Sequence, residues 1–178
     1  MKKFYHGTSA DNLKSILRHG LLINSQKLWS PSENGIYFYS GDEFVKIGET
    51  EEEDKDSFAK QRAYENAQIA LSVAKDCRCV VFEVELDEKE VEPDQSYLNM
   101  EGAVIIFRNV KPKEIKKVFI SPDLSLLKGY FIAIAKQNKL FSHDFSEVEL
   151  LIADIFSKAE IYPDIMDDFP LKLFKNNS

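Results

Sequence analysis

The stretch "KKFYHGTSADNLKSILRHGLL", residues 2–22, decides how the rest of the chain is read. An apolar-aromatic run, "KFYH" at residues 3–6, reads as a short strand. His6, Gly7 and Thr8 follow in direct succession, three small or polar residues fit either for a strand-to-helix turn or for the floor of a ligand site. A helix then starts, capped by Ser9 or Asp11, with Leu13, Ile16 and Leu17 at the i, i+3, i+4 spacing of one buried face. Gly20 stands where glycine commonly ends a helix.

Working outward, "KLWSPSEN" is a loop, with Pro31 and Asn34-Gly35 as turn signals. "GIYFYS", residues 35–40, is a strand of β-branched and aromatic residues. The acidic stretch up to Asp56 is a connection. Residues 57–75 read as a helix whose Ala59, Ala63, Ala67, Ala70, Leu71 and Ala74 make a small-residue face suited to close approach to a sheet. In "CVVFEVEL", Phe82, Val84 and Leu86 alternate with Glu83 and Glu85, the pattern of a strand with one face in water. "GAVIIF", residues 102–107, is a continuous apolar strand expected at the sheet centre. "VKPKEI" is a turn and "KKVFIS" another strand. From Pro122 the pattern is helical, with stripes at Leu124, Leu127, Phe131, Ile134, Ala135 and at Phe145, Val148, Leu151, Ile152, Ile155, Phe156. The tail is expected to fray beyond Phe174. The order predicts an α+β fold: a small mixed, mainly antiparallel sheet with flanking helices, one domain over residues 1–178, divided into a core (1–121) and a helical C-terminal extension (122–178).

Composition narrows the functional classes. The chain has 178 residues, 44% hydrophobic and 30% charged, ordinary values for a globular protein. No apolar run approaches the ~20 residues that span a membrane, and Lys2 and Lys3 lead into polar residues rather than a signal-peptide core. A cytoplasmic location without a membrane partner is expected; an exported toxin that uses other signals would read the same way. Residues 33–56 carry nine acids against Lys46 and Lys55, a net −7 that equals the net charge of the whole chain. A nucleic-acid partner therefore needs a local basic patch. Arg108 and Lys111 to Lys117 form the basic segment, either a solvated face or a contact for a phosphate or an acceptor. Cys77 and Cys79 read as small buried residues in a reducing compartment. No metal is expected, because this pair and three scattered histidines do not make a ligand set. His19 belongs near a helix C-terminus, and His143 has no assigned role. No phosphate-binding glycine loop, G-x-S-x-G elbow or H-E-x-x-H helix is present.

Three pieces remain: His6-Gly7-Thr8, Gly35-Ile36-Tyr37-Phe38, and Glu101 just before the apolar strand. In this order they resemble the ADP-ribosyltransferase superfamily, in the branch of the poly-ADP-ribose polymerases and RNA 2′-phosphotransferases. The helix "NLKSILRHGLL" is similar to that branch as well. The resemblance covers residues 3–121 and implies a split β-sheet core of ADP-ribosyltransferase type. It also implies an enzyme that uses NAD as co-substrate, cleaves the nicotinamide–ribose bond and passes ADP-ribose to a protein or nucleic-acid acceptor, or to water. Loss of activity on the same fold, leaving an NAD- or ADP-ribose-binding module, and an RNA 2′-phosphotransferase are the alternatives. The latter needs phosphate-holding arginines that this sequence does not match.

Chemistry assigns the parts. The transition state is close to a ribosyl oxocarbenium ion, so the site must hold the leaving group and stabilise positive charge. Gly7 suits a backbone N–H and C=O pair for the nicotinamide amide. Tyr37 is the stacking aromatic. The resemblance gives His6, supported by Thr8, the adenosine ribose hydroxyls. Glu101 is to grip the nicotinamide ribose and favour the cation. Gly35, Tyr39 and Ser40 are expected to border the pocket, and Trp29 either covers the adenine or caps the core. Asn99, two residues before Glu101, departs from the acid found there in arginine-modifying relatives, which argues against arginine as the acceptor.

Overall fold

The computed structural model describes residues 1–23, 34–40, 55–94, 102–125 and 167–168. They form strands β1 (Lys2–Ser9), β2 (Ile36–Ser40), β3 (Cys79–Leu86), β4 (Glu92–Pro93), β5 (Ala103–Ile106), β6 (Ile115–Ile120) and β7 (Asp167–Asp168). Helix α1 is Leu13–His19 and helix α2 is Lys55–Ala70. The strands make one seven-stranded sheet in the order β4-β5-β2-β1-β3-β6-β7. Every pairing within it is antiparallel. The fold class is α+β. Glu101, Trp29, His143, the acidic connection up to Asp54 and the helical stripes beyond Ser125 lie outside the described residues.

The pairing of β1 with β3 organises the sheet. It runs unbroken from Lys2↔Leu86 to Ser9↔Cys79. β1 is thus longer than "KFYH": the small polar residues Gly7, Thr8 and Ser9 stay in the strand because Val81, Val80 and Cys79 pair with them. Strand alternation sends odd and even residues to opposite faces. One face carries Tyr5, Tyr39, Cys79, Val81, Ala103 and Phe119 and packs against α2 through Ala59, Ala63, Tyr64 and Ala67. The other carries Phe4, Ile36, Phe38, Val80, Phe82, Val84, Val104 and Val118 and packs against Leu13 of α1. Each fully buried Phe, Val, Ile or Leu contributes about 1.5–3 kcal/mol by leaving water, so the sheet is stabilised from both sides.

That double cover changes the reading of β3. Glu83 does not face water: it is 5% exposed, and Tyr5 Oη donates to its carboxylate at 3.3 Å. Only Glu85 follows the expected pattern and is partly exposed. β5 lies between β4 and β2 rather than at the centre, yet all four of its residues are buried.

Helix α2 starts and stops earlier than the apolar pattern suggests. It ends at Ala70, and the chain turns through Leu71, with the Leu71 N–H donating to the Gln68 carbonyl at 3.0 Å. The small-residue stripe is buried as expected. Its use is visible at Gly7, where a Cβ would stand 1.7 Å from the Ala63 carbonyl oxygen. Alanines on the helix and glycine on the strand let the two backbones touch.

α1 follows a single turn of tighter helix at Ala10–Asn12. Ser9 makes no side-chain cap bond there. Asp11 caps a different segment: its carboxylate accepts from the backbone N–H groups of Lys75 (2.7 Å) and Asp76 (3.0 Å). It ties the start of α1 to the turn that feeds β3. Asp11→Ala strands both donors and should cost about 1–2 kcal/mol, read as a lower denaturant midpoint with unchanged slope. Gly20 ends α1 at φ +81°, its N–H donating to the Ile16 carbonyl at 2.8 Å. Leu21 and Val110 then exchange backbone bonds of 3.0 and 2.9 Å, fastening the helix end to the segment before β6.

β4 and β7 carry no strand signal in the sequence. Asp167 and Asp168 pair with Ile120 and Phe119 at the open edge of the sheet. Among the described residues no helix is long and apolar enough to cross a membrane.

Candidate functional site

β1 and β2 are neighbours, but their pairing is short. It holds Phe4↔Ser40 and Tyr5↔Tyr39 and then stops. The same register would bring His6 opposite Phe38 and then Gly7 opposite Tyr37, the next hydrogen-bonding pair. Instead His6 Nδ1 lies 2.8 Å from the Tyr37 carbonyl oxygen. A side chain occupies an acceptor that the strand ladder would otherwise have used. The two strands part there, and the parting lies at the H-G-T and G-I-Y-F segments.

The parity of the ladder tells which backbone groups face the opening. The Ala10 N–H donates to the Arg78 carbonyl at 2.9 Å, in the register that pairs Ser9 with Cys79. Even residues of β1 therefore direct their N–H and C=O toward β3, and odd residues toward β2. Gly7 is odd. Its backbone donor and acceptor lie on the β2 side, beyond the last β1–β2 pair.

His6 sits on the α1 face, its ring 5.6 Å from that of Phe38. A carbonyl only accepts, so the bond to Tyr37 places the imidazole proton on Nδ1 and leaves Nε2 as an acceptor. Burial pulls the His6 pKa below 6.5, and the bond to Tyr37 opposes this only in part. The ring is neutral at pH 7. The linkage sign follows. The unfolded chain binds the His6 proton at about pH 6.5, the folded chain only at lower pH, so this contribution to stability is full above 6.5. It is lost as pH falls from 6.5 through the folded-state value. In His6→Asn, the decline of stability between about pH 7 and 5 should be shallower than in the wild type, measured by chemical denaturation across that range.

The remaining candidates divide. Tyr37 is half-buried and, by alternation, on the α2 face, opposite to His6. A group in contact with both would have to cross the end of the β1–β2 ladder. Gly35 is buried, and a Cβ there would meet Ile105 Cγ1 at 2.3 Å. Thr8 Oγ1 accepts from Asn12 Nδ2 at 2.9 Å. Tyr39 and Ser40 sit at the closed end, where β1 and β2 are paired. Tyr39 is buried and its Oη accepts from Asn66 Nδ2 at 2.8 Å. The Ser40 N–H donates to the Gly102 carbonyl at 2.8 Å. The residue after Glu101 is therefore fixed to the end of β2, three strand positions or roughly 10 Å from Tyr37.

Gly7 has a packing reason for its identity that needs no ligand, since α2 fills the space a side chain would take. What remains for ligand chemistry is its amide edge. Asn66, which sequence reasoning passed over, holds the Tyr39 hydroxyl from α2; nothing in the alanine-rich pattern singles it out.

Arg108 is committed elsewhere. Its guanidinium bonds Glu90 (2.5 Å) and Glu114 (2.8 and 3.1 Å). Those carboxylates push its pKa still higher, and the paired contacts clamp the turn before β6. Cys77 and Cys79 are free and buried, and burial raises the Cys79 thiol pKa. No group of His, Cys, Asp and Glu among the described residues is arranged to hold a metal ion.

No protein-family model matches this chain, and no curated protein matches it.

Proposed function

We propose that this protein is an NAD-dependent ADP-ribosyltransferase. The reading rests on one observation: β1 and β2 part after Tyr5↔Tyr39, with His6 bonded to the Tyr37 carbonyl. The first two motifs of the family resemblance meet at that parting, 31 residues apart in sequence. In this reading NAD lies in the opening. Gly7 offers its N–H and C=O to the nicotinamide amide, Tyr37 stacks on the ring, and the neutral His6 accepts a ribose hydroxyl at Nε2. Glu101, from the segment leading into β5, holds the nicotinamide ribose hydroxyl and stabilises the cation. The C1′–N bond breaks with its electron pair leaving on nicotinamide. A nucleophile of the acceptor, or water, then bonds to C1′ and gives up a proton.

An RNA 2′-phosphotransferase is less well supported, because Arg108 is held by two carboxylates. The test is incubation with labelled NAD, with and without cell lysate, following free nicotinamide and labelled macromolecule together. Release of nicotinamide with label on a macromolecule supports transfer, and release without it supports hydrolysis. Saturable NAD binding with no release would make the protein a binding module, and neither binding nor release would remove the proposal.

A further inference from the structure

Helix α2 sorts its polar side chains by flank. Gly7 lies beneath its backbone, where a Cβ would meet the Ala63 carbonyl oxygen at 1.7 Å and the Ala67 nitrogen at 3.1 Å. At about 100° per residue, Lys60 and Tyr64 stand roughly 60° and 100° to one side of Ala63, and Asn66 roughly 60° to the other. The contacts agree. Lys60 Nζ lies 4.7 Å from the centre of the Phe119 ring on β6, and the Tyr64 side chain bonds that of Ser121, just past β6. Asn66 Nδ2 donates to Tyr39 Oη on β2 at 2.8 Å. β6 and β2 lie on opposite sides of β1. Gln61 and Arg62 both turn to Glu65, within the helix itself. Asn66 is thus the polar side chain, among those described on α2, that reaches β2, and it does so at the level of Gly7.

Its hydrogen-bonding capacity is only partly used. A carboxamide has two N–H donors and an oxygen that accepts. Among the described residues, Tyr39 Oη is the one partner of the Asn66 side chain. One N–H and Oδ1 are left over, on a residue that is half-buried. Tyr37 is two strand positions from Tyr39, about 7 Å away and on the same face. Gly7 is opposite Tyr37 by register. The Gly7 amide edge, the Tyr37 side chain and the spare end of Asn66 therefore come from three elements, β1, β2 and α2, and meet where the β1–β2 pairing ends.

We infer that Asn66 is a specificity-determining residue: its Oδ1 accepts a hydrogen bond from the carboxamide of the ligand held at Gly7 and Tyr37, and so selects a nicotinamide ring over a nicotinate ring. The inference rests on the NAD reading above. A carboxamide carries two N–H groups, one for the Gly7 carbonyl and one for Asn66. A carboxylate carries none and brings a negative charge against both acceptors. A site built to bond an N–H rejects the analogue that lacks it, because its own polar groups are left unpaired.

The experiment reads binding rather than turnover, so it applies whether or not the glycosidic bond is cleaved. The whole protein is titrated with NAD and with nicotinic acid adenine dinucleotide, which differ only in this group. The wild type should bind NAD the more tightly. Asn66→Leu, close to asparagine in shape, removes the acceptor. NAD should then bind roughly 5- to 150-fold more weakly, the range for one buried hydrogen-bonding group left unpaired, while the acid form changes little, so the gap narrows. Asn66→Asp keeps an acceptor and adds a negative charge, so the gap should widen. Tyr39→Phe removes the hydroxyl that Asn66 holds and should leave the gap as it is. A merely structural Asn66 gives another pattern: Asn66→Leu and Tyr39→Phe weaken both dinucleotides alike. That pattern would overturn the inference and leave the NAD reading in place, as would an unchanged gap in Asn66→Leu or tighter binding of the acid form by the wild type. A wild-type protein that binds neither dinucleotide would remove both.

Discussion

Replacing Gly7 with alanine should destabilise the fold by roughly 3–5 kcal/mol, among the larger effects a single methyl group produces. The reason is local. The methyl carbon would sit 1.7 Å from the Ala63 carbonyl oxygen, 2.7 Å from its carbon and 3.1 Å from the Ala67 nitrogen. All three are backbone atoms of α2, so no rotamer change relieves the overlap. Either the helix lifts off the sheet or β1 bends. Lifting α2 uncovers Tyr5, Val81 and Phe119, which share its core. Backbone strain plays no part: Gly20 and Gly102 have positive φ, and Gly7 does not.

At about 2–4 °C per kcal/mol for a chain of this size, the melting temperature should fall by on the order of 10 °C. The companion variant Ala63→Gly should not rescue it, because the clash is with a carbonyl that glycine also carries. A Gly7→Ala protein that melts like the wild type would show that α2 does not lie on β1 at this point. The result also bears on function. Loss of NAD turnover in Gly7→Ala carries no information about ligand binding unless the variant is shown to fold.

Gly7 also shows what the sequence could and could not reveal. Its lack of a side chain was legible as a demand for close approach, but not what approaches. That depends on α2 crossing β1, a contact between segments some fifty residues apart. The alanine stripe was legible for the complementary reason, since small residues at helical spacing have few other uses. Glu83 was misread because alternation of acids and apolar residues signals a wet face only when nothing covers it; α2 covers this one, and Tyr5 supplies a hydrogen bond. Asp167 and Asp168 gave no strand signal because a two-residue edge pairing needs only backbone groups. The parting of β1 and β2 was not legible in either strand alone. It depends on the His6 imidazole taking a carbonyl that belongs, in register, to the next ladder step.

The largest effect on activity is expected at Glu101. Under the proposed chemistry, Glu101→Gln keeps the shape of the side chain and removes the charge that opposes the ribosyl cation. Nicotinamide release should fall by roughly 100- to 1000-fold, the usual cost of one lost electrostatic group at a transition state. NAD binding should persist, because the amide, ring and ribose contacts assigned to Gly7, Tyr37 and His6 remain. The comparison that gives this prediction force is Glu83→Gln. Glu83 lies on β3, on the other side of β1 from the opening, and the Tyr5 hydroxyl already donates to it. Glu83 and Asp94 are the carboxylates buried among the described residues, and Glu83 is the one that lies within a central strand, where it could stand in for Glu101. Glu83→Gln should keep turnover within a few-fold of wild type at a temperature where it remains folded. The reverse pattern, with turnover lost in Glu83→Gln and kept in Glu101→Gln, would show that the catalytic carboxylate comes from β3. The opening between β1 and β2 would then be served from β1's other neighbour instead of from the segment before β5.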